Sequence, residues 1–271
     1  MHTAPSRARL KTPIKGFDLV VFGRVCLLAT FLASCQINIW AEIFVTNVFS
    51  NKPASSIVDI EIEVTSCEQI DSFGPQILNL FNDLSEAEIV DCEMRGFESF
   101  VIISSRFEIA SDNSSYDIIF FREKYADEEI NGVTHRALGL KPLINPVFVK
   151  KLNGFFEERN QSFDPEKLTI ELELRNDDTD ILVSGSFIWV NNDPTAFLAK
   201  EKLPLGKIMR IKLSNAHSAL AASGKQEPAV FLYRPIKSAG AAPTQTTPRP
   251  SKQDPRQETQ NLSDDTMFEL R

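Results

Sequence analysis

Alternating apolar and polar residues are the strongest pattern in this chain of 271 residues. Apolar side chains occupy every second position in three segments, residues 37–45, 58–64 and 168–174, and many of the positions between them are acidic. A period of two is typical of a strand that buries one face and exposes the other. The pattern therefore predicts three half-buried strands with polar, largely acidic outer faces.

Two other segments carry apolar residues at intervals of three and four, which is the period of an amphipathic helix. The first opens at Gly74-Pro75, and the second opens at Asn145-Pro146, a capping residue followed by a proline suited to the first helical turn. The apolar positions are Ile77, Leu80, Phe81 and Leu84 in the first segment and Phe148, Leu152, Phe155 and Phe156 in the second. We expect both helices to lay these stripes on the sheet.

The remaining segments complete the predicted fold. Residues 97–109 and 117–122 are predicted to form a hairpin, because the polar cluster 111–115 between them favours a turn. Residues 123–144 are charged and interrupted by glycines, and we interpret them as a long loop and a candidate contact surface. Later strands are expected at 181–190, 208–213 and 229–233.

The predicted fold class is α+β, an antiparallel-rich β-sheet with two amphipathic helices packed on it, over residues 35–234. Two smaller αβ units that meet near residue 145 are the alternative arrangement. Residues 235–271 are rich in Pro, Thr and Gln and poor in apolar residues, which predicts a disordered tail.

A short apolar run near the N-terminus changes the picture. Residues 25–33 are apolar and follow five basic residues, which only Asp18 opposes; the basic residues are Arg7, Arg9, Lys11, Lys15 and Arg24. An apolar run of about 7 to 15 residues after positive charge is typical of a secretory signal and is too short to span a bilayer.

The end of this run, Leu32-Ala33-Ser34-Cys35, resembles the lipobox of bacterial lipoproteins: an aliphatic residue, two small residues and a cysteine. The resemblance covers only the first 35 residues. It implies that residues 1–34 are a signal peptide cleaved between Ser34 and Cys35, that a diacylglyceryl group is attached to the Cys35 thiol, and that the new amino group is acylated. As a whole, the chain resembles uncharacterised β-rich envelope lipoproteins of bacterial, plasmid or prophage origin, because a strand follows the lipobox at once.

Three other interpretations of the run remain open. Ordinary cleavage after Ala41 is one, although Ile39 fits the small-x-small pattern poorly. An uncleaved anchor over residues 25–45 is the second, but it would place polar residues, Glu42 among them, in lipid at a high cost. The third is a core strand that contains a cysteine by accident.

The lipoprotein interpretation also assigns the other cysteines. Cys26 would leave with the signal and Cys35 would carry lipid, so Cys67 and Cys92 remain as one pair in an exported protein, where disulfides persist. Such a bond would stabilise the fold by about 3 kcal/mol in the chain-entropy model. Two buried free thiols or a metal site are the alternatives, and a metal site is disfavoured because there is no Cys-x-x-Cys and the three histidines are isolated.

The net charge of the predicted mature chain limits the classes of molecule that it is expected to bind. Removing residues 1–34 takes five basic residues from 29 and one acidic residue from 37, which leaves a net charge of −12. This acidic excess argues against nucleic acid and against electrostatic binding to anionic membrane. Membrane attachment should therefore come from lipid on Cys35, where two or more acyl chains suffice for stable anchoring. Gln36, where aspartate would mark inner-membrane retention in many enteric lipoproteins, favours the outer membrane, facing the periplasm.

The sequence contains no recognisable catalytic constellation. It lacks a Gly-rich phosphate loop, Ser184 lacks the first glycine of a nucleophile elbow, and Asp177, Asp178 and Asp180 lack the spacing of a calcium loop. We therefore assign no catalytic residues, no metal ligands and no cofactor.

Two functions remain. We expect a non-catalytic binding or assembly module for another envelope protein, which an exposed apolar patch or an unpaired sheet edge would favour. The alternative is an envelope hydrolase with dispersed catalytic residues. A pocket holding two or more carboxylates, or a histidine beside Ser or Asp, would favour that second function.

Overall fold

The computed structural model describes residues 34–112, 114–225 and 227–236. The predicted signal peptide, apart from Ser34, and the predicted tail, apart from its first two residues, lie outside the described residues. Strands account for 56% of the described residues and helices for 20%. The body is therefore dominated by its sheet.

Twelve strands in the described part of the chain form one mixed sheet. They are β1 (Ser34–Phe44), β2 (Ala54–Val64), β3 (Glu88–Arg95), β4 (Glu98–Ala110), β5 (Ile118–Lys124), β6 (Glu128–Ile130), β7 (Val133–Ile144), β8 (Ser162–Arg175), β9 (Ile181–Val190), β10 (Asp193–Leu203), β11 (Ile208–Leu213) and β12 (Val230–Pro235). The α-helices are α1 (Val45–Phe49), α2 (Ile70–Leu78), α3 (Pro146–Glu157) and α4 (Asn215–Ala222), and 3-10 turns lie at Cys67–Gln69 and Asp83–Ser85.

The sheet closes on itself through β9. One edge of β9 pairs with β10, and the other edge pairs first with β12, over residues 182–185, and then with β11, over residues 188–190. Because β12 also pairs with β7 and β11 also pairs with β8, the ladders run β9-β11-β8-β1-β2-β4-β5-β7-β12 and return to β9. Nine strands thus form a ring, and β3, β6 and β10 lie outside it.

The backbone of β9 is unusual where its partner changes. Phe187 lies between the two ladders with φ at +52°, a left-handed conformation that few side chains adopt. At Gly185 a Cβ atom would lie 2.7 Å from the Ile188 side chain and 3.1 Å from the carbonyl oxygen of Ala229. The glycine therefore lets the end of the ring approach β9 closely.

The predicted alternation is confirmed in β1, β2 and β8, whose apolar positions are buried. These side chains belong to one core cluster with apolar residues of the other strands and of the helices. Its largest fully buried members include Ile39, Ile60, Phe107, Phe120, Phe148 and Phe156.

The predicted α+β class, with two amphipathic helices packed on a sheet, is wrong, because the body is a strongly β-rich mixed sheet with few and short helices. The apolar side chains of α3 are buried as expected, but they join the same core as the strands. Helix α2 runs only to Leu78, with Pro75 inside it, so Leu80 and Phe81 follow the helix and Leu84 is 50% exposed.

Two further expectations are corrected. The predicted loop 123–144 contains β6 and β7. Gly139, which suggested a break, lies within β7, where a Cβ atom would come 2.8 Å from the Tyr125 ring, so the glycine permits close packing. The predicted hairpin of 97–109 and 117–122 is absent, since β4 pairs with β5 in parallel. Sequence adjacency suggested an antiparallel pair, but the edge of β4 is shared between β3 and β5.

The predicted disulfide is confirmed: Cys67 and Cys92 are bonded, with a sequence separation of 25. The bond joins the 3-10 turn before α2 to β3, which pairs only with β4 among the described strands. It therefore fixes a strand that lies outside the ring.

Replacing both cysteines, Cys67→Ser with Cys92→Ser, should lower the free energy of unfolding by about 3 kcal/mol, because the unfolded chain regains the entropy of an open loop. Urea unfolding under non-reducing conditions measures this loss. The wild-type protein with a reducing agent is the matched control and should unfold at the midpoint of the variant. A variant as stable as the oxidised wild type would contradict the stabilising role.

Candidate functional site

Cys35, the predicted lipidation site, lies near the start of β1 with its side chain in the core, 1% exposed. Burial, followed by the negative charge of Glu63, raises the pKa of the thiol to about 12. A buried neutral thiol is a poor nucleophile. In this conformation Cys35 is therefore closed to modification.

The start of β1 is held less firmly than the rest of the strand. The ladder between β1 and β2 begins at Ile37, and the register between β1 and β8 shifts between Cys35 and Ile37. Ser34 and Cys35 pair with Ser162 and Phe163 of β8 beyond this irregularity. Separation of residues 34–36 from β8 would leave the ladder between β1 and β2 intact, and it would take the Cys35 side chain out of the core.

The three aspartates considered for calcium have other partners. Asp177 accepts hydrogen bonds from Thr46, Asp178 pairs with Arg234 at 2.8 Å, and Asp180 pairs with Lys202 at 2.6 Å. Within the described ranges, no group of three or more His, Cys, Asp or Glu is arranged to hold a metal ion. These aspartates fasten β8, β9 and their turn to neighbouring elements.

Sequence reasoning missed one pairing of histidine with serine. The Oγ atom of Ser214 lies 3.1 Å from Nδ1 of His217, three residues later at the start of α4. The same hydroxyl accepts the backbone N–H of His217 and caps the helix. Capping explains the spacing, and among the described residues no carboxylate forms a hydrogen bond with this imidazole, as a triad would require.

A concave surface on the outer face of the sheet, which we call the Trp40 depression, has a volume of about 480 Å³. It spans β11, β8, β1 and β2, which are consecutive in the sheet. Trp40 is 37% exposed and Ile57 is 55% exposed. Trp40 lies directly opposite Asp59 on β2 and Glu171 on β8, so an apolar centre is bordered by charge.

The charges beside Trp40 form a ladder of ion pairs across these strands. Arg175 pairs with Glu42 and, at 2.7 Å, with Glu173. Arg210 pairs with Glu173 at 3.1 Å, and Lys212 pairs with Glu171 at 3.4 Å. Such pairs add little stability at a surface, but they order the side chains that border the depression.

This arrangement suits binding better than proton transfer. A general acid or base must be free to meet a proton of the substrate. Three of the four carboxylates that line the depression, Glu42, Glu171 and Glu173, already contact a cationic side chain. The exposed apolar surface of Trp40 and Ile57 has no such partner and remains available to a ligand.

Two strands at the margins of the sheet also expose apolar side chains. Met94 lies near the end of β3, Phe97 lies in the turn between β3 and β4, and Phe187 and Phe197 lie on β9 and β10. In the described sheet β3 pairs only with β4, and β10 pairs only with β9. Both features, an exposed apolar patch and an unpaired edge, are typical of surfaces that bind other proteins.

The burial of His217 gives the body a testable pH dependence. Burial lowers the pKa of His217 below its usual 6.5, against the charge of Glu227 and a hydrogen bond to the backbone of Phe187. The unfolded chain therefore takes up the proton first as the pH falls. This contribution to stability is present above the unfolded pKa and is lost as the pH falls toward the folded pKa.

As the pH is lowered from about 7.5 to about 5.5, the free energy of unfolding should therefore fall less for His217→Gln than for the wild type. Urea unfolding at a series of pH values measures the difference. The control is Ser66→Ala, which removes the cap of the 3-10 turn Cys67–Gln69, leaves His217 in place and should lose about 1 kcal/mol of capping energy at every pH. Parallel pH profiles for wild type and His217→Gln would show that His217 does not contribute to the pH dependence.

None of the helices in the described part of the chain is long and apolar enough to cross a membrane. No curated protein and no solved structure matches the chain. Residues 37–237 match one protein family. The match begins at Ile37, where the ladder between β1 and β2 also begins, and it covers the described strands that follow. The chain belongs to the family described as Domain of unknown function (DUF7424).

Proposed function

We propose that this chain is a non-catalytic binding module of the bacterial cell envelope that is anchored through lipid on Cys35 and binds another envelope protein through the Trp40 depression. The observation that carries the binding role is the exposed Trp40 at the centre of a concave sheet surface with charged borders. Trp is among the residues that contribute most to protein–protein binding energy, together with Arg.

The Trp40 depression has the anatomy of a small protein interface. Apolar side chains lie at its centre, and polar side chains surround them, as in the core and rim of known interfaces. The central side chains stand on strands and the bordering charges are already ion-paired, so binding would order few additional side chains. Low ordering cost is the main advantage of a preorganised surface.

The hydrolase alternative draws on two observations, the carboxylates of the Trp40 depression and the contact between Ser214 and His217. Both have structural explanations, since the carboxylates form ion pairs and Ser214 caps α4. The two sets lie on different elements and share no pocket lining. We therefore favour the binding module.

The lipid anchor makes a specific demand on β1. A thioether on Cys35 and a buried Cys35 side chain exclude one another, so lipid must be added before this residue packs, and residues 35 and 36 must then stay away from β8. The family match begins at residue 37, after both. Trp40 follows Cys35 by five residues, roughly 16 Å of extended strand, which keeps the Trp40 depression near the membrane and favours a membrane-associated partner.

Intact-mass measurement of protein taken from the membrane fraction tests the anchor. We expect the mass of the chain from Cys35 onward, increased by acyl chains and reduced by two hydrogens for the bond between Cys67 and Cys92. Cys35→Ser should lack the acyl chains and keep its signal. If the wild type has its full-length mass, or if Cys35→Ser is cleaved and acylated as the wild type is, the run before Cys35 is not a lipoprotein signal.

Photo-crosslinking in cells tests the binding surface. A photoreactive amino acid at Ile57, beside an intact Trp40, should give a discrete adduct with one envelope protein. Trp40→Ala should reduce that adduct at least about tenfold, because truncating a buried aromatic anchor commonly costs 2 kcal/mol or more.

The same photoreactive amino acid at Phe97, an exposed position outside the Trp40 depression, is the matched control and should not give this adduct. Equal thermal stability of Trp40→Ala and wild type would exclude misfolding as the cause of the loss. An adduct that survives Trp40→Ala, or that forms equally from Phe97, would count against the Trp40 depression as the binding surface.

A further inference from the structure

A second concave surface differs from the Trp40 depression in its charge. This basic cleft has a volume of about 590 Å³ and is lined by the segment 48–51 after β1, together with parts of β5 and β7. Its charged lining residues are Arg122, Glu123, Lys124, Arg136 and Lys141, four cations and one anion. The chain as a whole has a formal net charge of −8, so positive charge is concentrated here.

Arg122 brings a fixed charge to the basic cleft. It follows Ile118 and Phe120 on the inner face of β5 and is 7% exposed. Its guanidinium donates to the carbonyl oxygens of Asn47 and Ser50 and to the hydroxyl of Ser111. Each of these acceptors is neutral, so the contacts hold the guanidinium in place, and only the charges of Asp112 and Glu108, which form no ion pair with it, act against its charge.

Arg136 lines the basic cleft and carries a hydrogen-bond donor without a partner. Its Nε atom is buried and has no hydrogen-bond partner within the described chain, and the side chain is in none of the ion pairs found there. Arg136 also lies directly opposite Arg234 across β7 and β12. Like charges in opposed positions destabilise a sheet, and a buried N–H without a partner adds to that cost.

The carboxylates of Asp178 and Glu123 are paired with other cations, so neither one neutralises Arg136. Arg234 pairs with Asp178 and lies over the ring of Phe49, with 4.6 Å between the guanidinium carbon and the ring centroid. Lys141 pairs with Glu123 at 2.8 Å, which uses the only acidic side chain of the lining. Arg122, Lys124 and Arg136 therefore remain without a carboxylate partner among the described residues.

We propose that the basic cleft is a binding site for a phosphoryl group, either free phosphate or the phosphate of a small phosphomonoester. Arg136 donates to the phosphoryl oxygens through the terminal nitrogens of its guanidinium, and Lys124 and the fixed charge of Arg122 balance the dianion. Charge-assisted bonds from guanidinium to phosphate are among the strongest hydrogen bonds in proteins. The volume of the basic cleft exceeds that of a phosphate ion, which leaves room for an organic substituent.

Calorimetric titration of the full chain with inorganic phosphate and with glycerol phosphate, at constant ionic strength, tests this site. Both ligands should bind, both should raise the unfolding temperature, and chloride should do neither. Arg136→Gln should weaken binding about tenfold or more, since one charge-assisted donor is lost. Arg106→Gln is the matched control, because Arg106 pairs with Glu86 away from the basic cleft and should leave binding unchanged.

Lys124→Gln provides a second variant, because this exposed side chain has no part in the core and its loss should weaken binding without changing stability. Tighter binding of glycerol phosphate than of phosphate would assign the site to a phosphomonoester, and equal binding would assign it to free phosphate. If neither ligand binds at about 10 mM, a concentration at which even weak sites of millimolar affinity are filled, or if Arg136→Gln binds as the wild type does, the proposal is wrong.

Discussion

The shared edge of β9 is the constraint on which the rest of the body depends. A strand has two edges, and β9 divides one of them between β12 and β11, so two ends of the sheet meet on a single strand. This meeting turns an open sheet with two unpaired margins into a ring that encloses one core. The left-handed backbone at Phe187 and the absent side chain at Gly185 are local costs of that geometry. The pairing of β9 with both β11 and β12 offsets them.

The order of apolar and polar residues predicted the features of the fold that depend on neighbouring residues alone. Alternation placed β1, β2 and β8 and their buried positions, because a strand with one buried face repeats every two residues wherever it occurs. The pairing of Cys67 with Cys92 followed from the assignment of the other cysteines and is confirmed. The fold class was wrong because ring closure requires pairings between distant segments, such as β1 with β8, that no short window of sequence contains. Gly139 was wrongly interpreted as a break for the same reason. Its lack of a side chain makes room for the ring of Tyr125, which lies on another segment.

The two candidate surfaces differ in how far sequence could reveal them. Trp40 was detectable in principle, because an aromatic residue between Ile39 and Ala41 must lie on the outer, polar face of the same strand. The basic cleft was not detectable, because Arg122 and Arg136 come to line one surface only through the pairing of β5 with β7. Both surfaces are built on strands of the ring, so a rigid scaffold positions side chains that local sequence leaves unrelated.

The ring can close only after the strand that completes it has been synthesised. Strand β12 contributes the pairings with β7 and β9 that complete the ring, and a ribosome makes it after the other described strands. Until residues 230–235 are available, β7 and part of β9 present unpaired backbone, the kind of surface on which chains associate with one another. A chain that ends before β12 therefore loses the closure of the ring in addition to the six residues of this strand. It becomes an open sheet with two unpaired margins, which can pair with the margins of other chains.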